Sequence, residues 1–294
     1  AMPSQTFAEG ALDAAQQTGK LNYDGYKKVW SDEFNGDSLN RADWNVEIHE
    51  KGWVNNELQE YVDSAENIQV KDGKLIINPV KKVTDGDTSS TKEAASYTSG
   101  RVSTQNKQTF TYGRFECRAK VPKGQGYLPA FWLMANDENV YGQWPRCGEI
   151  DCMEVMGQET NKAYGTLHYG NPHSQSQGTY TITDGADFSD DFHIYTCDWE
   201  PGKITWYVDG VKYHEESEWH STTVGQGTLA YPAPFDQPFY IILNLAVGGS
   251  WVGNPNDETS FENNPYVIDY VRVYQKDSYD EDVKRPGKIS LVMS

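Results

Sequence analysis

The run Gly148-Glu149-Ile150-Asp151-Cys152-Met153-Glu154-Val155-Met156 holds three carboxylic acids within six residues. In an extended strand, residues two apart share a face, so Glu149 and Asp151 point together and Glu154, five along, points away. One extra residue, a β-bulge near Cys152-Met153, would turn Glu154 back to the side of the other two and leave Ile150, Cys152 or Met153, and Val155 to the core. The outer glutamates then behave as an i, i+4 pair with Cα atoms on the order of 13 Å apart. Their side chains are long enough to lean toward the ~5–5.5 Å carboxyl spacing of a retaining glycosidase. Three like charges on one face repel, and repulsion keeps one carboxyl protonated while another stays ionised. This division of labour makes Glu149 the nucleophile, Glu154 the general acid/base, and Asp151 the residue that bonds the nucleophile and holds its position and charge. A solvated acidic strand face explains Glu149 and Asp151 alone, but is a poor account of all three acids together.

The elements that must carry this strand are short. Residues 67–70 and 74–80 are apolar runs joined through Lys71-Asp72-Gly73, a hairpin signal. Residues 114–121 alternate, with Phe115, Cys117, Ala119 and Val121 on one face and Arg114, Glu116, Arg118 and Lys120 on the other, the pattern of a half-buried antiparallel strand. Further strands are expected over 128–135, 148–156, 163–169, 194–200, 204–208, 211–214, 239–247 and 266–275, with Gly, Pro, Asn and Asp punctuation between them. This argues an all-β sandwich or barrel in one domain over 27–276, after an N-terminal tail or capping segment, 1–26, with a weak helical pattern at 11–18, and before a C-terminal tail, 277–294. Polar loops are expected over 83–92, 136–143 and 171–178.

The chain has 294 residues and a formal net charge of -18, with nine Trp and nineteen Tyr. Missing basic character excludes a nucleic-acid partner, and strong negative charge repels anionic membranes and polymers. A neutral polymer is the partner easiest to reconcile with it, and the aromatic side chains suit both strands and sugar platforms. Cys117, Cys147, Cys152 and Cys197 form no CxxC pair and are expected as free thiols. No stretch approaches the ~18 apolar residues of a membrane span.

Trp144-Pro145-Arg146-Cys147-Gly148-Glu149-Ile150-Asp151-Cys152-Met153-Glu154 resembles the active-site strand of glycoside hydrolase family 16, in its bulged laminarinase branch. Trp30-Ser31-Asp32-Glu33-Phe34, Asn55-Asn56-Glu57-Leu58-Gln59, Ser99-Gly100-Arg101-Val102, Pro129-Ala130-Phe131-Trp132, Gly165-Thr166-Leu167-His168-Tyr169 and Ile268-Asp269-Tyr270-Val271-Arg272 extend the resemblance over most of the chain. It implies a β-jelly-roll sandwich of two antiparallel sheets with an open cleft on the concave face. It also implies retention of configuration and internal cleavage of β-1,3 or mixed β-1,3/1,4 glucan. By carry-over, Asn55, Arg101, Trp132 and Trp144 line the glycone side of the cleft or its floor, and His168 lies near the acid/base, where it tunes Glu154 or contacts the sugar. Trp251, after Gly248-Gly249, is expected to cap one end of the cleft. No catalytic cofactor is implied. A structural Ca²⁺ is, with Glu33, the carbonyl of Gly73, and Asp269 as ligands.

The resemblance further implies a monomer acting on a β-glucan outside the cytoplasm, as a secreted, periplasmic or cell-surface protein. Ala1-Met2 reads as a cloning remnant, with an export signal removed ahead of it. The competing readings are a galactan hydrolase of the agarase or carrageenase kind on the same sandwich, a β-glucan-binding protein without catalysis, and a calcium-dependent lectin. Binding proteins of this kind lack one or more of the three acids, and all three are present.

Overall fold

The structure is a computed structural model that describes residues 21–83 and 95–287. Every regular element among them is a strand, and no helix is long and apolar enough to cross a membrane. One sheet runs in spatial order through Val211–Glu216 (β16), Lys203–Val208 (β15), His193–Glu200 (β14), Gly113–Lys120 (β9), Tyr266–Lys276 (β18), Lys74–Ile77 (β5) and Ile68–Lys71 (β4), with Tyr26–Asp32 (β1) also on β18. The other runs through Ser174–Thr181 (β13), Lys162–Tyr169 (β12), Glu149–Glu154 (β11), Tyr127–Ala135 (β10), Phe239–Val247 (β17), Arg101–Ser103 (β8) and Asn45–Val46 (β2). A small third sheet joins Gln59–Tyr61 (β3), Ala95–Ser99 (β7) and Val80–Val83 (β6).

The two large sheets pack face to face as a sandwich, and the apolar alternation decides which side of each strand lies between them. Phe115, Cys117 and Ala119 on β9 are fully enclosed, as are Phe131 and Leu133 on β10 and Ile241, Leu243 and Leu245 on β17. All four cysteines are buried free thiols. Trp206, from β15, crosses the interior and donates Nε1–H to the carbonyl of Asp151 at 2.8 Å. Gly165 on β12 is what admits that ring, since a Cβ there would stand 2.4 Å from Trp206 Cδ1.

Several expectations are corrected. The face of β9 that carries Arg114 and Glu116 is buried rather than solvated. Arg114 forms a two-pronged pair with Asp198 at 2.6 and 2.8 Å, and the rings of Tyr23 and Tyr26 cover its guanidinium. A central strand with chain laid over its outer side has no solvated face. Residues beyond the expected domain limits therefore belong to the packing: Asn22 accepts from Arg114, and Tyr279 packs 5.4 Å from Tyr112. The run 74–80 is not one strand but two, β5 and β6, in different sheets. The loop expected over 171–178 ends at Ser174, where β13 begins; Ser, Gln and Thr on an edge strand carry no apolar alternation to announce it. Most of the loop expected over 83–92 and the helical pattern at 11–18 lie outside the described residues.

The segments expected to hold calcium do converge. A Cβ at Gly73 would lie 3.9 Å from Asn35 Oδ1, and Leu75 pairs with Ile268, next to Asp269. The carboxylates, however, are engaged: Arg272 bonds Glu33 through Nε and Nη2, and Arg118 Nη1 bonds Asp269 at 2.8 Å. Two carboxylates neutralised by guanidinium groups do not fit the anionic oxygen cage that calcium takes.

Trp206→Phe keeps an aromatic ring in the core but removes the donor to the Asp151 carbonyl. The loss of that hydrogen bond is about 0.5–1.5 kcal/mol of unfolding free energy, to be read from urea midpoints.

Candidate active site

Register places the three acids. On β10 the residues at alternate positions, Leu128, Ala130, Trp132 and Met134, face an open cleft. Glu149 lies opposite Met134 and Asp151 opposite Trp132. A regular ladder would then set Met153 opposite Ala130. Instead the register shifts, Met153 pairs with core-facing Phe131, and Glu154 takes the place opposite Ala130. The same slip recurs on the other side, where Asp151 faces Thr166 and Glu154 faces Tyr164. Cys152 is the extra residue, and it is buried together with Met153. A one-residue bulge thus puts all three acids on the cleft face.

Asp151 is enclosed, and its carboxyl interacts with both Glu149 and Glu154. Burial pushes all three carboxyls up. The next contribution comes from Asp151 for Glu149, from Glu154 for Asp151, and from Glu149 for Glu154, whose pKa rises to about 8. The three share protons and titrate as a group. Donors decide where negative charge settles. Trp144 donates Nε1–H to Glu149 Oε1 at 3.0 Å, and His168 Nε2 stands 3.5 Å from Glu149 Oε2. Both contacts pull the Glu149 carboxyl down against burial, whereas Asp151 alone does so for Glu154. The donors from outside the row thus stand at its Glu149 end, whereas Glu154 has only Asp151.

His168 corrects the expectation that it sits by the acid/base. It is opposite Glu149 in register, and its Nε2 bonds Asp151 Oδ2 at 2.8 Å, while Tyr164 holds the position opposite Glu154. His168 Nδ1 meets His173 Nε2 at 2.7 Å with the rings stacked, and His173 lies against Trp144 at 5.2 Å. His173 was not foreseen; it lies in a turn with no periodic signal.

The cleft has two halves that meet at Glu149 and Glu154. One, a cavity of about 340 Å³, is lined by Trp53, Asn55, Arg101, Trp132, Trp144 and Asn244 among others. Arg101 forms most of its contacts with the protein: its guanidinium lies 5.0 Å from the centres of Trp53 and Trp132, and Nε bonds Glu47 at 3.1 Å. It packs between the two indoles and lines the cleft with them. Trp132 is held in turn by Nε1–H donation to Asn244 at 2.7 Å. The other half, about 490 Å³, includes Asn55, Trp144, His168, His173, Gln175, Gln177 and Trp251. Trp251 is half-exposed and meets Tyr164 edge-on at 5.1 Å, so it does sit at the cleft. Trp53 and Glu57 were missed as lining residues, although Glu57 lies inside the Asn55-containing motif.

The site predicts a specific pH dependence of stability. A carboxyl whose pKa is raised on folding contributes stability that is present below its unfolded value and is lost as pH rises through the folded one. For Glu154 that window runs from about 4.5 to about 8. Glu154→Gln should therefore gain on the parent protein across that interval, by up to roughly 4 kcal/mol, in melting curves taken at both ends. A gap that does not change with pH would show that Glu154 does not titrate there.

The family model for glycosyl hydrolases family 16 matches residues 42–272. The chain is 39% identical over 267 residues to glucan endo-1,3-beta-glucosidase A1 of Niallia circulans, covering 86% of this chain and 38% of that protein. It is 40% identical over 255 residues to the glucan endo-1,3-beta-glucosidase of Cryptopygus antarcticus, covering 83% and 90%. The solved laminarinase catalytic domain of Thermotoga maritima aligns with a TM-score of 0.70 at 38% identity, covering 85% of this chain and 98% of that domain.

Proposed function

Because the chain belongs to glycosyl hydrolase family 16, we propose that it is an endo-acting β-glucanase cutting β-1,3 or mixed β-1,3/1,4 glucan with retention of configuration. The observation that carries the mechanism is the carboxyl chain Glu149–Asp151–Glu154 on one strand face. A single carboxyl interacts with both outer ones, which keeps the pair together on the cleft face, and the ~5–5.5 Å spacing of direct nucleophilic attack is the arrangement that retention requires. The cleft is open, and its indole faces suit the C–H faces of a neutral polymer.

Glu149 attacks the anomeric carbon while Glu154 gives its proton to the departing glycosidic oxygen. Trp144 Nε1 and His168 steady the attacking carboxylate. Once Glu149 is esterified its charge is gone, and Glu154 loses the neighbour that most raised its pKa after burial itself. Its carboxylate is then free to take a proton from the water that cleaves the ester. Asp151, held by His168 at 2.8 Å, keeps both outer groups in place through the cycle.

We read the protein as a monomer that works outside the cytoplasm, since its polymeric substrate is found there. A calcium ion at the corner of Glu33, Gly73 and Asp269 would have to displace Arg272 and Arg118. A melting temperature raised by Ca²⁺ in the parent but not in Glu33→Ala would establish one there, and coincident curves would remove it.

Product sizes over time from laminarin and from barley mixed-linkage glucan test the function. An early ladder of oligosaccharides is expected, and release from agarose or carrageenan alone would overturn the substrate. With an activated aryl glycoside, Glu149→Ala should be rescued by azide with inversion and Glu154→Ala with retention. The reverse outcome would exchange the two roles. The alkaline limb of kcat/KM is expected near pH 8, where Glu154 gives up its proton.

A further inference from the structure

The cleft contains a fourth carboxylate that the hydrolytic scheme does not use. Glu57 is buried, yet it lines both halves of the cleft beside Glu149 and Glu154. That places it at the junction of the halves, where the scissile bond must lie. Among the described residues no cation pairs with it directly. Its partners are two neutral amides: Asn55 Nδ2 bonds Oε2 at 3.2 Å and Gln59 Nε2 bonds Oε1 at 2.9 Å.

Both amides are themselves fixed. Gln59 Oε1 accepts the Val247 backbone N–H at 2.7 Å, so its NH₂ must turn toward Glu57. Asn55 stands in the left-handed region with φ of 51°, and its carbonyl accepts from Ser250 N at 2.8 Å. Gly249 supplies the room, because a Cβ there would come within 3.3 Å of Glu57 Cγ. A carboxylate offers about four acceptor positions, and the amides fill two. A buried carboxylate without a counterion is costly unless something satisfies it. Glu57 lines the open cleft, so its unfilled positions can take donors from there, and sugar hydroxyls are such donors.

We propose that Glu57 is a positioning residue for the hydrolysis: anchored by Asn55 and Gln59, it accepts a hydroxyl of the sugar next to the scissile bond and sets its negative charge against Glu154. The proposal rests on the β-glucanase reading. Glu154 is faced by Glu149 and Asp151 from its own strand, by Tyr164 opposite it on β12, by Tyr213 from β16, and by Glu57 from the loop before β3. Of these, Glu57 is the charge outside the catalytic strand that helps hold the proton on Glu154. Burial raises the pKa of Glu57 as well, while Gln59, Asn55 and Arg101 act to keep it ionised.

The test uses the whole protein on laminarin, with pH profiles of kcat/KM for the parent, Glu57→Gln and Glu57→Asp. Glu57→Gln removes the charge. It should lower kcat/KM by roughly 10–100-fold, the range for a hydrogen bond to a charged group, and move the alkaline limb to lower pH. Glu57→Asp keeps the charge but withdraws it, so kcat/KM should fall while the limb moves less than in Glu57→Gln. A Glu57→Gln variant with a lowered melting temperature, an unmoved limb and parental kcat/KM would overturn the proposal in favour of a purely structural role. If Glu57→Gln does not fold, parental kcat/KM in Glu57→Asp would overturn it alone. A parent protein inactive on every glucan would instead defeat the β-glucanase reading on which the proposal stands.

Discussion

Carboxyl groups buried side by side cannot all be charged, and one strand of this protein presents three of them to a single cleft. That constraint shapes what surrounds it. The acids reach one face only because Cys152 is an extra residue in the ladder, so Glu154 occupies the place that Met153 would otherwise take. A bulge weakens strand pairing, and the neighbouring sheet compensates: Trp206 caps the Asp151 carbonyl from inside the sandwich, and Gly165 leaves the gap through which the indole reaches it. The catalytic arrangement is therefore a joint product of both sheets, although every catalytic side chain comes from one strand.

The distribution of donors turns three similar acids into different ones. Glu149 has an indole N–H and a nearby imidazole, Asp151 has that imidazole at 2.8 Å, and Glu154 has neither. Burial alone would raise all three alike. Placing the donors at one end of the row favours charge at that end over what burial alone would allow. His168 is pivotal because its two ring nitrogens face different partners, Asp151 on one side and His173 on the other, so the imidazole cannot swing toward Glu154 without losing both.

How much of this was legible in the letters differs by the kind of force involved. The bulge was legible, since five-residue spacing between Glu149 and Glu154 cannot reach one face without it. Strands with strict alternation, such as β9 and β10, were legible for their core sides. The outer face of β9 was not, because alternation reports polarity and not what lies over it; Arg114 is polar and enclosed because Asp198, Tyr23 and Tyr26 meet it from distant parts of the chain. Edge strand β13 was missed for want of apolar residues, and short strands such as β2 and β8 carry too few residues for any period. Within the site, Asn55, Arg101, Trp132, Trp144 and His168 came from motif resemblance and do line the cleft. Their partners did not follow from it: Arg101 packs on Trp53 and Trp132 and bonds Glu47 through Nε, and His168 stands at the Glu149 end of the row.

Charge gives the last link between chain and substrate. A protein with a net charge of -18 gathers Glu57, Glu149, Asp151 and Glu154 around one cleft, so that even with protons shared among them the hollow carries negative charge. Such a field disfavours sulfated or uronic polymers, whose charges would be desolvated against like charges. A neutral glucan brings no charge to repel and many hydroxyl donors, which are what a row of acceptors lacks. The same field raises the cost of losing the last proton from the row, so the acidity of the cleft and the protonation of Glu154 have one origin. Selectivity for neutral sugar and readiness of the acid are in this sense a single electrostatic property, fixed by how many carboxylates the fold encloses and how few cations it places among them.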